Sequence, residues 1–287
     1  MSFLYPNIIS GPIHSRRLGL SLGINLLPTQ HKICNYNCIY CECGLNQDPT
    51  LNTSLADSLH LPTLEQVSKA LENSLIHFKE SKQEINSITF SGNGEPTLHP
   101  EFEQIVEEVG RLRTLYLGDV FQKGPKLTII SNASRIGSAS VIEALKKADL
   151  CLLKLDAGTP EMYGRINRLN TNFCLSNLDK FSDKNMENNY NQLIENLHLL
   201  SFQYPFYIQT LFFRQKINGA FFIDNTQGKE WEAWLSKIAY IKPHGLMIYG
   251  LDRETPTNNL VKLSQKELES LATKIKESGI KQVGAYY

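Results

Sequence analysis

The chain has 287 residues, 41% of them hydrophobic and 20% charged, and its 29 Lys plus Arg balance its 29 Asp plus Glu. That composition fits a globular chain with a sizeable core and argues against a disordered protein. The even balance excludes a global positive field that would draw the chain to nucleic acid, leaving only a local patch for such a role.

The first residues, MSFLYPNIISGPIHSRR, show no cationic start before a long apolar run, so no signal peptide is expected. No apolar stretch approaches the roughly 18 residues needed to cross a bilayer, so no membrane partner is expected and the cytoplasm is the expected location. No repeat or low-complexity block breaks the chain. A single domain over 1–287 is expected, with an N-terminal extension 1–19, a core over about 20–250 and a C-terminal helical segment over about 251–287.

In chain order, Ser21–Leu27 reads as a strand. Thr63-Leu64-Glu65-Gln66 is a capping box, with Val67, Ala70, Leu71 and Leu75 on one helical face behind it. Ile88–Ser91 is a buried strand stopped by Gly92-Asn93-Gly94. Phe102, Ile105, Val106 and Val109 repeat at helical spacing. Leu127–Ser131 and Leu150–Leu155 are further apolar strands. Thr159-Pro160 pairs an N-cap with Pro at the first helical position. The Asn-rich stretch 167–191 reads as a long loop or a broken helix. Phe206–Phe213 and Leu246–Tyr249 are the last two strands. Ser264 to Glu267 is a second capping box, followed by Leu268, Leu271 and Ile275. Near-continuous apolar strands suit a parallel sheet covered on both faces. Six strands, each followed by a helical segment, predict an α/β fold, a partial (βα)6 TIM-like barrel with outer helices. In such folds the chemistry sits at the C-terminal strand ends.

Four of the six cysteines, Cys34, Cys38, Cys41 and Cys43, fall within ten residues; Cys151 and Cys174 stand apart. In a reducing compartment a cluster of this kind points to metal rather than to disulfides. Cys34, Cys38 and Cys41 have C-x₃-C-x₂-C spacing, and three thiolates can hold three corners of an iron–sulfur cubane while leaving one iron open. Zinc held by these three and Cys43 is the alternative, giving a non-catalytic binding module. A third reading is a barrel enzyme whose cysteines are incidental. Cys43 reads as a bystander, and Cys151, inside an apolar strand, as a small packed hydrophobe.

The pattern C-x₃-C-x-aromatic-C, with Tyr40 at the aromatic position just after the first strand, resembles the signature of the radical S-adenosylmethionine (SAM) superfamily. The resemblance implies a [4Fe–4S] cluster on Cys34, Cys38 and Cys41 and SAM chelated at the open iron. It further implies reductive cleavage of SAM to methionine and a 5′-deoxyadenosyl radical, which abstracts hydrogen from a substrate. The electron donor implied is a flavodoxin or ferredoxin.

Further stretches match that superfamily in order. Gly92, Asn93, Gly94, Glu95 and Pro96 follow the second strand, where the family carries a Gly-Gly-Glu-like stretch that binds the amino group of SAM. Here Asn93 stands where Gly is common. A plain Gly turn is the bland alternative. Asn132 follows the third strand; Lys154 and Asp156 end the fourth. In related enzymes these ends meet the ribose hydroxyls and the methionine carboxylate, which suits Asp and Lys by hydrogen bonding and charge. Arg165 and Arg168 are further carboxylate candidates, or else solvated helix charges. Gln209 sits mid-strand and is expected to face the barrel interior, while Ile248 and Tyr249 end the strand where the family cradles adenine.

Gly11–Pro28, joined to Cys34–Gly44, resembles a group related to the wyosine (tRNA imidazoguanosine) synthetases. His14, Arg16 and Arg17 would there reach an anionic substrate or anchor the N-terminal segment. That likeness carries a tRNA-modifying reading as the runner-up. Those synthetases hold a second cluster on upstream cysteines, and no cysteine precedes Cys34 here.

Overall fold

The computed structural model of the protein describes residues 3–46, 61–118, 124–168, 183–253 and 255–287. Cys174 and most of the Asn-rich stretch lie outside these. Two compact units emerge: a first from Leu4–Cys34 and Thr53–Leu152, and a second from Met1–Phe3, Asn35–Asn52 and Leu153–Tyr287.

In the first unit β1 (Ile9–Ser15) pairs antiparallel with β2 (Gly19–Ile24). Strand β2 runs parallel to β3 (Ser87–Phe90), and β3 parallel to β4 (Lys126–Ser131). The strand order is β1-β2-β3-β4-β5, with the division between units falling inside β5 (Leu150–Lys154). Register puts Ile24, Phe90 and Ile129 in one row, all fully buried. Helices α1 (Leu64–Ser81), α2 (Phe102–Leu117) and α3 (Ala139–Lys146) bury the apolar faces read from the sequence: Val67, Leu71 and Leu75 on α1, and Phe102, Ile105, Val106 and Val109 on α2. The Thr63–Gln66 capping box is present and closes the first turn of α1. Patterning carries the first strand to Leu27, but pairing stops at Ile24. Beyond it Asn25 N–H makes one more bond, to the Ile8 carbonyl at 2.7 Å, and its side-chain amide donates to the Leu27 carbonyl at 2.8 Å.

In the second unit the strand order is β5-β6-β9-β11, with β6 (Tyr207–Leu211) parallel to β9 (Gly245–Tyr249) and β9 parallel to β11 (Val283–Tyr286). The stretch 206–213, expected as one strand, divides. After Leu211 the chain leaves β6, and Phe213 begins β7 (Phe213–Ile217), which lies between β8 (Ala220–Asp224) and β10 (Leu260–Lys262) in a separate antiparallel sheet. Asn225 holds the break, accepting from Phe213 N–H at 3.0 Å and donating to the Leu211 carbonyl at 2.8 Å. The β7–β8 turn was readable: Asn218 and Gly219 both have positive φ, the demand of a type I′ hairpin turn that Asn-Gly meets. Helices α4 (Pro160–Asn167), α5 (Asp183–Ser201), α6 (Gly228–Ile241) and α7 (Gln265–Glu277) complete the unit. Thr159 caps α4 ahead of Pro160, and Ser264 with Glu267 boxes the start of α7. The segment 251–287, expected to be helical, contributes two strands as well as α7. Among the described residues no helix is long and apolar enough to cross a membrane.

Candidate functional site

In the first unit the end of β3 is bound to the segment that leads into Cys34. Gly94 has φ +142, and a Cβ there would stand 1.7 Å from the Ile33 carbonyl oxygen. Only glycine allows that approach. It lets Ile33 N–H donate to Asn93 O at 2.9 Å and Glu95 N–H donate to Ile33 O at 3.0 Å. Asn93 is fully buried; its amide donates to the carbonyls of Tyr5 and Pro28, and its oxygen accepts from Tyr5 N–H. Its side chain is thus spent on bracing the N-terminal segment. Glu95 accepts from Thr97 Oγ1 at 2.6 Å, Ser131 Oγ at 2.7 Å and Asn132 N–H at 2.7 Å. Burial pushes the Glu95 carboxyl up from its ordinary value, and these donors pull it back. Asn132, so placed, turns its amide toward Cys34 Sγ at 3.6 Å.

In the second unit Lys154, at the end of β5, is buried and donates to Cys38 Sγ at 3.1 Å and to Asn167 Oδ1 at 2.7 Å. Its ammonium lies 4.8 Å from the centre of the Tyr36 ring and 5.9 Å from that of Tyr40. Burial alone would depress its pKa, but the Cys38 sulfur and the Asp156 carboxylate, 3.7 Å away, more than reverse this and hold it above the ordinary lysine value. Asp156 accepts from the Tyr40 hydroxyl and from Leu211 N–H at 2.9 Å. Burial, and then the neighbouring Asp156 charge, raise the Tyr40 hydroxyl pKa. Tyr40 also packs edge-on against Phe213, beside a core of Ile39, Ile166, Leu211 and Ile223. The backbone of α4's end steadies the loop: Asn37 N–H donates to the carbonyls of Asn167 and Arg168, and Ile39 N–H to Ile166.

The remaining candidates fall as follows. Gln209 is buried in β6, and its carbonyl accepts from Leu155 N–H. Tyr249 ends β9 beside the core around Ile39. Arg168 is the left-handed C-cap of α4, and its side chain is exposed. Arg165 is taken up by Glu161 at 2.5 Å and the Phe222 carbonyl at 3.1 Å. His14 and Arg16 stand exposed at the β1–β2 hairpin. Cys151 is wholly buried, its thiol pushed up by burial. Tyr36, Tyr163 and Asn167 were not singled out from sequence. The tyrosine hydroxyls hydrogen-bond to each other, and Asn167 anchors Lys154. Nothing local marks them, because their partners are distant in the chain.

Among the described residues no three His, Cys, Asp or Glu side chains stand grouped as a metal-holding set. The donor chemistry of the cysteine loop nevertheless fits an iron–sulfur cluster. Iron needs thiolates, which a nearby cation favours. Cys34 and Cys38 are buried and each faces a nitrogen donor, Asn132 and Lys154 respectively. Cys41 is half-buried, in a turn whose N–H donates to the Cys38 carbonyl at 3.0 Å.

A family model described as the Radical SAM superfamily matches residues 31–195. A UPF0026 protein of Helicobacter pylori is 33% identical over 163 residues, 57% of this chain and 47% of that protein. A UPF0026 protein of Methanocaldococcus jannaschii is 31% identical over 171 residues, again covering 47% of its length. The chain's match thus spans about half the length of these curated relatives. Among solved structures, a radical SAM methyltransferase from Sphaerobacter thermophilus matches 93% of this chain and 66% of its own, at 11% identity and TM-score 0.58. TYW1 with a lysine-pyruvate adduct bound matches 90% of this chain and 73% of its own, at 13% identity and TM-score 0.54. At such identities the likeness speaks for the fold: mostly parallel strands with helices, the partial βα-barrel class expected from the sequence.

Proposed function

The chain belongs to the radical SAM superfamily, and we propose that it is an enzyme that cleaves SAM reductively at a [4Fe–4S] cluster held by Cys34, Cys38 and Cys41. The observation that carries this reading is the cysteine loop itself: C-x₃-C-x₂-C spacing, with Cys34 and Cys38 each facing a side-chain nitrogen donor. When bound, the cluster and SAM together supply methionine and a 5′-deoxyadenosyl radical for hydrogen abstraction.

The chain's own residues prepare the ends of the site. Glu95 locks Ser131 and Asn132 in place, and with them the Asn132 amide toward Cys34. Gly94 permits the backbone stretch Gly92–Pro96 to lie against Ile33, where its main-chain groups would receive the amino group of SAM. Asp156 orients Tyr40, and Lys154 holds positive charge at Cys38. Asn132, Gln209 and Tyr249 would contact the rest of SAM. A flavodoxin or ferredoxin would supply the electron.

Anaerobic reconstitution with iron and sulfide tests the reading. Expected are a bound cluster with broad visible absorbance and equal yields of methionine and 5′-deoxyadenosine from SAM under a strong reductant. A protein that retains zinc and takes up no iron, or a loaded protein that leaves SAM intact, would refute it.

A further inference from the structure

We infer that Lys154 is a positioning residue whose fixed charge raises the reduction potential of the cluster carried by Cys38. The inference rests on the cluster assignment above. Its starting point is an unusual location for an ammonium: buried, and 3.1 Å from a cysteine sulfur four residues from Cys34 and three from Cys41. A buried lysine is kept only where partners compensate its lost hydration. Here the partners are the Cys38 sulfur, Asn167 Oδ1 at 2.7 Å, the Tyr36 ring face and the Asp156 carboxylate at 3.7 Å.

The geometry holds the charge at that point. Asn167 is itself buried at the end of α4, and its carbonyl accepts from Asn37 N–H at 2.9 Å, so the anchor is tied to the loop that carries Cys38. Asp156 offsets part of the charge, but its carboxylate stands farther from the ammonium, at 3.7 Å, than the Cys38 sulfur does at 3.1 Å. Reduction adds an electron to the cluster. A cation against a ligand sulfur favours the more negative state, and hydrogen bonds to cluster sulfur act in the same sense. Low solvent exposure means that little water screens the effect. Lys154 would therefore ease delivery of the first electron by the donor protein.

The test uses the full chain, reconstituted anaerobically, as wild type, Lys154→Met, Lys154→Arg and the double variant Lys154→Met/Asp156→Asn. Each is titrated potentiometrically without SAM, reading the reduced cluster by electron paramagnetic resonance. Lys154→Met should move the oxidised-to-reduced equilibrium at least tenfold toward the oxidised form, about 59 mV for a one-electron couple. Lys154→Arg, which keeps the charge, should recover most of the shift. The double variant leaves no carboxylate unpaired, so it carries the test if the single variant does not fold, and it should show a smaller shift of the same negative sign. Equal potentials in wild type and the charge-deleted variants overturn the inference. So does a raised KM for SAM with an unshifted potential, which would assign Lys154 to the SAM carboxylate instead. A wild type that takes no cluster overturns the functional reading itself, and this inference with it.

Discussion

The carboxylate of Glu95, just beyond β3, accepts the backbone N–H of Asn132, just beyond β4, at 2.7 Å. The two residues are 37 apart in sequence, and this bond aligns two strand ends. The same carboxylate takes Thr97 and Ser131, so a single buried acid organises three polar partners. Glu95→Ala should therefore destabilise the protein by about 2–4 kcal/mol, because several buried donors lose their acceptor at once. Glu95→Gln should cost about 1–3 kcal/mol, since its NH₂ must face a donor. Urea unfolding checks both, and a Glu95→Gln variant as stable as wild type would contradict this account.

Gly94 and Gly219 both have positive φ, but their surroundings differ. A Cβ on Gly94 meets the Ile33 carbonyl at 1.7 Å, whereas one on Gly219 meets nothing within 4 Å. Gly219→Ala should cost only the backbone strain, about 1 kcal/mol. Gly94→Ala adds a clash with main chain and should cost more than about 2 kcal/mol. It should also reduce iron uptake, because Ile33 directly precedes Cys34. Thermal melts and iron content of the two variants make the comparison; equal losses would show that the Ile33 approach is unimportant.

The cysteines divide by environment. Cys34→Ala, Cys38→Ala and Cys41→Ala should each abolish stable cluster binding. Cys43→Ala should retain iron, and so should Cys151→Ala, whose thiol is enclosed in β5 and donates to the Leu145 carbonyl at 3.4 Å. Iron and sulfide analysis per chain decides the matter. Loss of iron in Cys43→Ala would make Cys43 a ligand.

Glu267 accepts from Arg214 at 2.7 Å and from Ser264 N–H and Oγ, each at 2.8 Å. These hydrogen bonds, that to Arg214 first, hold its carboxyl down at about 2. A carboxyl lowered by folding contributes stability that is present above its unfolded value near 4.5 and is lost as pH falls toward 2. Because the group is largely exposed, the effect is small, about 0.5–1 kcal/mol from the cap and screened pair together. Glu267→Gln should lower stability at pH 7, and the gap to wild type should close between about pH 4.5 and 2. Paired denaturation curves across that range test it; a gap independent of pH would rule out the charge as its origin.

Much of this protein is legible without tertiary structure, because the physics involved is local. Helix caps at Thr63, Thr159 and Ser264 depend on residues within one turn, and each forms as read. The apolar strands at 88, 127, 150 and 246 read correctly because buried parallel strands need no partner to be recognised as apolar runs. The spacing of Cys34, Cys38 and Cys41 is likewise a property of one short loop. What the chain order could not tell is where distant polar groups meet. Lys154 reaches Cys38 across 116 residues, and Asn167 joins them from the end of α4. Asn93, in the stretch expected to meet SAM, spends its side chain on the carbonyls of Tyr5 and Pro28, partners 88 and 65 residues away that the sequence does not point to. The break after Leu211 depends on Asn225, fourteen residues on, which takes hydrogen bonds a continuous strand would have kept. Sequence alone determined the caps, the apolar strands and the cysteine spacing by which the family is recognised; only the tertiary structure decided which charges and amides stand against the sulfurs, because hydrogen bonds and ion pairs act through space rather than along the chain.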